Sequence, residues 1–313
     1  GAAVRGITLS HLEIEATGFF TDRFSPVASI SGTTLTMQQP AWDNNTWGYD
    51  TISKPIFPDD SRLFLVNAPE LIGKTNDWHA KPYQWFIDPK AGKLYLRIAQ
   101  DDDIARLRVT IPALPALMSI SGTPEAPIRN LSFNGLRFSY TSWMGPSEST
   151  GYANQQSGAF LKDVSSIRPA DAWSSCGWGC PEFESMRQLW HQIPAAVQVA
   201  AARNIVFENN HFTQLGQIAL GLGNEANANL SGVGLAVQDV WVSRNHFGVL
   251  SGSAIMAGGV RLDAHPPTDP NLILRNIEIA DNVIAGVSQD YKDNAAILTT
   301  YVDGARILHN DIT

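Results

Sequence analysis

One phrase recurs along this chain, and few folds can accommodate it. Two apolar residues stand two apart, a turn residue follows, then a second apolar pair two apart. NIVFENNHF supplies Ile205, Phe207, Asn210 and Phe212. DVWVSRNHF supplies Val240, Val242, Asn245 and Phe247. NIEIADNVI supplies Ile277, Ile279, Asn282 and Ile284, and GARILHNDI supplies Ala305, Ile307, Asn310 and Ile312. The Asn-to-Asn spacings are 35, 37 and 28 (245−210, 282−245, 310−282). Related forms occur earlier, in NLSFNGLRF (Leu131, Phe133, Leu136, Phe138) and in GITLSHLEI (Ile7, Leu9, Leu12, Ile14).

Apolar residues at period two read as strands with one buried face, and a repeat of this length marks a solenoid. Asn at the bend tolerates left-handed backbone angles, and its amide can bond to neighbouring backbone. Stacked coils would turn these amides into a ladder. The units are rich in β-branched residues and poor in helix signals, which sets aside helical repeats. The expected fold is all-β, a right-handed parallel β-helix with coils about 4.8 Å apart. A third strand is expected after each bend, in QIALGLG, SAIMAGG and AAILTTY, where small residues suit a flat sheet with an accessible outer face. Because the chain stops inside a phrase, at Asn310, further coils are expected after residue 313.

Composition agrees. The chain has 313 residues, 44% hydrophobic, 17% charged, with a net charge of −8. No run approaches the roughly 20 apolar residues of a membrane span, and no basic cluster stands out, so neither a membrane nor nucleic acid is the expected partner. Cys176 and Cys180, in SSCGWGCPEF, are the only cysteines. Too few ligands surround them for a metal site, so a small disulfide is expected, and with it a secreted, extracellular protein. The start of the chain, without Met, is expected to be trimmed or processed.

Two stretches interrupt the repeat. Residues 15–115 read as an inserted β-rich domain between a coil at 1–14 and a β-helix over 116–313. YQWFIDPKAGKLYLRI reads as a hairpin turning at 88–92. A second, loop-like insertion covers about 140–196 and holds the cysteines with Trp143, Trp173, Trp178 and Trp190. A short helix is expected in PEFESMRQLWHQ. Trp178, between two glycines, is the expected exposed sugar-stacking ring.

No serine-hydrolase elbow, P-loop, zinc-protease motif or dinucleotide fingerprint occurs. Carboxylates beside the third strand remain. Glu225, Asp263 and Asp303 border one edge of that sheet on successive coils; Asp290 and Asp293 border the other. Carboxylates on adjacent coils would stand about 5 Å apart, as a retaining glycosidase requires, and about 9–10 Å apart when one coil is skipped, near the inverting range. The catalytic candidates are Asp263, Asp290, Glu225 and Asp293. His265, Tyr291, Trp178 and His191 are candidate substrate contacts, with Gln192 beside the last and the Tyr291 hydroxyl poised to orient Asp290. Asp269 before Pro270 and Asp303 before Gly304 read as turn residues.

Three functions fit. A glycoside hydrolase needs two carboxyls and no cofactor. A polysaccharide lyase would use Ca²⁺, held by Asp290, Asp293 and Glu225, with Lys292 or Arg261 as base, although Arg and Lys are scarce along the sheet. A non-catalytic solenoid would only bind carbohydrate.

The YQWFIDPKAGKLYLR hairpin, IRNLSFNGLRFSYTSW, WHQIPAAVQV and GVSQDYKDNAAI together resemble secreted bacterial right-handed β-helix proteins of the pectate-lyase-like superfamily. The group around glycoside hydrolase family 141 is the most similar. The resemblance runs along nearly the whole chain. It implies hydrolysis of plant or other complex polysaccharides by an acidic pair, with fucosidase and xylanase activities represented. In such proteins the turn matched by Asp290 and Tyr291 recurs, the loop with Asp263, His265 and Asp269 has a counterpart, and further coils follow.

Overall fold

The structure is a computed structural model describing residues 8–46, 50–73, 83–88, 90–156, 158–162, 186–224, 235–261, 264 and 267–313. Its strands fall into two groups. The N-terminal group is antiparallel. Strands β1 (Glu13–Thr17), β2 (Asp22–Ser31), β3 (Thr34–Met37) and β4 (Arg62–Val66) form one sheet in the order β3-β2-β1-β4. Strands β5 (Trp85–Asp88) and β6 (Lys93–Leu96) form the hairpin expected there.

From β7 onward the chain winds in coils of three strands. The first coil is β7 (Met118–Ser121), β8 (Ile128–Asn134) and β9 (Arg137–Ser142). A three-stranded antiparallel sheet then intervenes: β10 (Ala153–Gln156), β11 (Ala159–Leu161) and β12 (Trp190–Gln192). The second coil is β13 (Ala195–Ala200), β14 (Ala202–Glu208) and β15 (His211–Gly216); the third is β16 (Ile218–Leu222), β17 (Val237–Ser243) and β18 (His246–Leu250). The fourth is β19 (Ile255–Ala257), β20 (Leu274–Ala280) and β21 (Val283–Ala285), and the fifth β22 (Ile297–Thr299), β23 (Val302–Leu308) and β24 (Asp311–Ile312). Each coil gives one strand to each of three five-stranded parallel sheets. We name them by first strand: the β7, β8 and β9 sheets. The fold is all-β and β-helix-like.

The repeated phrase is the β8-sheet strand plus the β9-sheet strand, and its apolar positions stack in register. Leu131, Ile205, Val240, Ile277 and Ala305 form one column; Phe133, Phe207, Val242, Ile279 and Ile307 form the next. Phe138, Phe212 and Phe247 stack ring on ring, with centroids 4.8 and 4.6 Å apart. These columns fill the interior, where most of the side chains are fully buried.

The amide ladder exists. Asn210 Nδ2 donates to Asn245 Oδ1 at 3.0 Å, Asn245 to Asn282 at 3.0 Å, and Asn282 to Asn310 at 2.9 Å. Each Oδ1 also accepts the backbone N–H of the preceding rung. One expectation changes. The left-handed residue at this corner is the one before each ladder Asn: Asn209, Arg244, Asp281 and His309, with Gly135 in the first coil. A left-handed residue in fact recurs every five positions through each coil, as in Asn204, Asn209 and Gln214, or Asp239, Arg244 and Val249. Each reverses the pleat locally and bends the strand, which leaves the next residue's amide free to reach inward.

Two further expectations are corrected. The end of the GITLSHLEI phrase does not join the parallel coils: Glu13 and Ile14 open β1, which pairs antiparallel with β2 and β4. Nor is the outer face of the β7 sheet open. Every residue of β13, β16 and β19 is buried. Ala195, Ile218 and Met256 on that outer face pack under Tyr152, Ala159 and Phe160 of the intervening sheet. The small residues there admit a second protein layer. A Cβ on Gly221 would stand 2.7 Å from the Asn224 Cβ and 2.8 Å from the Ala195 Cβ.

Candidate active site

The corner between the β8 and β9 sheets has two residues in every coil, because the ladder fixes its length. Long connections fall only at the two ends of the β7 sheet. Residues 223–236 and 258–273 leave one end; residues 143–194 and 286–296 enter the other. Asp290 and Asp293 lie in the connection 286–296. Glu225, Asp263, His265, Trp178, Cys176 and Cys180 lie outside the described residues. Asp303 is corrected: it lies within β23, in register with Arg275, not beyond the β7 sheet.

Asp293 is the best-connected carboxylate. Its Oδ2 accepts from Asn154 Nδ2 at 2.6 Å, from the Gly158 N–H at 3.0 Å and from the Tyr152 hydroxyl at 3.3 Å. The three donors come from β10, the residue just before it and the turn after it, so this sheet builds the site. Gly158 has φ 87°, and a Cβ there would press to 3.0 Å from Asn294 Oδ1. Burial raises the Asp293 carboxyl to about 6, against the opposing pull of these hydrogen bonds. The Tyr152 hydroxyl is pushed well above its ordinary value, first by burial and then by the Asp293 charge.

The N-terminal sheet closes one side. Phe24 and Tyr152 exchange backbone hydrogen bonds at 2.9 and 3.1 Å. Asp22 accepts the Lys292 N–H at 3.1 Å, and the Lys292 ammonium lies 3.7 Å from Asp22 Oδ2 and against Glu15. Asp22 is fully buried, and its Oδ1 has no hydrogen-bond partner among the described residues. Burial carries its carboxyl up to about 7, opposed mainly by Lys292. Burial pulls the Lys292 ammonium down, but the Glu15 hydrogen bond and the Asp22 charge more than offset it, for a net upward shift. Arg23, next to Asp22 in β2, is buried and lowered to about 10 by desolvation.

The other predicted residues are placed as follows. Asp290 is exposed and accepts from Ser251 Oγ at 2.5 Å, so a serine and not Tyr291 orients it. Tyr291 is 5% exposed. Its ring packs against Tyr152, Trp143 and Phe24 at 5.2, 5.4 and 6.1 Å. His191 pairs with Phe160 across β11 and β12, ring centroids 5.9 Å apart. Gln192 is buried and donates to the Gly258 carbonyl at 3.0 Å. Lys292 is engaged as above, and Arg261 donates to the Gln188 carbonyl at 3.1 and 2.7 Å. Among the described residues no three His, Cys, Asp or Glu converge to hold a metal ion. Sequence reasoning missed Asp22, Glu15, Tyr152 and Asn154. Asn154 in YANQQ carries no local signal of a role, because its partner is 139 residues away.

A carboxyl that holds its proton near pH 6, fixed by three neutral donors, can donate that proton to a leaving oxygen. No family model and no curated protein matches the sequence. A solved structure called "Glycoside hydrolase" has the same fold: TM-score 0.76 at 23% identity, over 97% of this chain and 49% of that protein. The chain therefore spans about half the length of that relative and shares a glycoside-hydrolase-like fold.

Proposed function

We propose that this protein is a carbohydrate-active enzyme that hydrolyses glycosidic bonds of a plant or other complex polysaccharide, using a pair of carboxyl groups. The observation that carries the reading is the fold shared along 97% of the chain with a glycoside hydrolase. Asp293 is the proposed general acid. The second carboxyl, as nucleophile or as base toward water, comes from Asp290, Asp263 or Glu225. In this reading the coils form a right-handed solenoid, since parallel crossovers are right-handed in nearly all proteins. The N-terminal antiparallel sheet is an insertion-type wall against it. The layout and the GVSQDYKDNAAI turn support kinship with glycoside hydrolase family 141 and action outside the cell.

The lyase alternative has less support, because Lys292 and Arg261, its candidate bases, both have protein partners.

The test is product release from a panel of polysaccharides by the protein and by Asp293→Asn and Asp290→Asn. New reducing ends without new ultraviolet absorbance, with a loss of at least about 100-fold for Asp293→Asn, would support the hydrolase. Undiminished activity in Asp293→Asn would move the acid elsewhere. An ultraviolet-absorbing product would replace hydrolysis by elimination.

A further inference from the structure

The outer face of the β9 sheet carries a row of basic side chains that the proposed site does not use. Arg137, His211 and His246 sit in register on three consecutive rungs of β9, β15 and β18. All three are exposed. The two imidazole rings stack, centroids 5.4 Å apart and tilted by 29°. Rung spacing puts the Arg137 backbone about 4.8 Å from that of His211. Beside His246 the next outward position is Gly248, where a Cβ would stand only 3.1 Å from the His246 ring, so the floor next to the row is bare backbone.

The row itself holds no acid. Several cations elsewhere on these coils are paired with carboxylates. Arg306 meets Glu278 at 3.0 Å, His309 meets Asp281 at 3.6 Å, and Arg244 meets Glu208. Glu208, at the corner nearest the row, is committed to Arg244 and to Asn134 at 2.8 Å. In the row itself the first carboxylate is Asp311, two rungs beyond His246, with Val283 between. Arg137, His211 and His246 have no hydrogen bond or ion pair from their side chains among the described residues. The chain has 30 acidic and 22 basic residues, yet none of its carboxylates lies on these three rungs.

We propose that the Arg137–His211–His246 row is a binding site for an anionic polysaccharide, whose carboxylate or sulfate groups lie across the three rungs. An extended polymer fits because the row runs along the solenoid axis, and the charged oxygens take charge-assisted hydrogen bonds from the guanidinium and the imidazole N–H groups. The row lies on the β9 sheet, whereas Asp293 lies in the connection entering the β7 sheet, and the proposal stands whether or not the protein cleaves glycosides.

Affinity electrophoresis in gels containing dextran sulfate, polygalacturonate or neutral dextran tests it, with the combined Arg137→Gln, His211→Gln, His246→Gln variant beside the unsubstituted protein. Retardation by an anionic polymer and not by dextran, weakened roughly tenfold or more in the variant, is expected. The two anionic gels separate sulfate from carboxylate recognition. Equal retardation of variant and parent, no retardation by either anionic polymer, or equal retardation by neutral dextran would overturn the site. So would anionic retardation lost in Asp293→Asn but kept in the row variant, which would assign the binding to the other site. The substituted residues are exposed, and circular dichroism and the unfolding midpoint verify that the variant folds.

Discussion

Asp22 carries a carboxyl that burial raises to about 7, and Asp293 one raised to about 6. Each folded value exceeds the ordinary 3.8. The folded protein therefore holds these protons more tightly than the unfolded chain does. The stability each contributes is fully present below about pH 4 and is lost as pH rises through about 7 for Asp22 and about 6 for Asp293. For Asp22 the span is on the order of 4 kcal/mol at most. Asp22→Asn keeps an acceptor for the Lys292 N–H and carries no charge to desolvate. We expect its unfolding free energy to fall less between pH 5 and 8 than that of the parent, with the two curves closest at pH 5. Denaturant titrations across that range check this; parallel curves would show that Asp22 is not titrating there.

The ladder sets the local structure of each coil, and its rungs are unequal. Asn245 accepts from Asn210 through Oδ1 and donates to Asn282, Phe207 and Ser243, all near 3 Å. It is 1% exposed, so water cannot replace these bonds. Asn245→Ala should cost about 3–5 kcal/mol, since several buried donors and acceptors lose partners at about 1–3 kcal/mol each. Asn310 is only partly buried and receives from one side, and Asn310→Ala should cost less than half as much. Chemical denaturation of both variants settles the order. The first coil shows what the position tolerates: Leu136 stands there, giving only its backbone N–H to Asn210 Oδ1 at 2.9 Å. The ladder itself was legible because Asn recurs with the apolar pattern. The five-residue recurrence of left-handed residues was not, because Tyr140, Arg244 and Val249 have no composition in common. Their backbone angles are imposed by stacking on neighbouring coils.

At the scale of the molecule, three layers meet at the site: the β7 sheet, the inserted sheet β10–β12 and the N-terminal sheet. Lys292 joins the first to the third through Glu15 and Asp22, and Phe24 packs on Tyr152 and Tyr291. Phe24→Ala should loosen that junction. We expect faster amide exchange at positions 24 and 152, whose backbone groups are paired, with little change in the coil strands β14 and β17. Uniform acceleration across the coils would mean that the N-terminal sheet and the coils unfold as one unit.

The repeated phrase by itself determined the all-β class, the strand inventory of the coils, their inward columns and the ladder. Every coil obeys the same local rule, so its periodicity is written within about ten residues. It also pointed to the ends of the β7 sheet as the places where connections lengthen. The tertiary structure decided what covers that sheet and which carboxylates are perturbed. Asp22 meets Lys292 across 270 residues and Tyr152 meets Asp293 across 141. Such contacts follow from how the antiparallel sheets pack on the coils, and burial is what raises Asp22 and Asp293. Desolvation depends on layers from distant parts of the chain, and no local period encodes it.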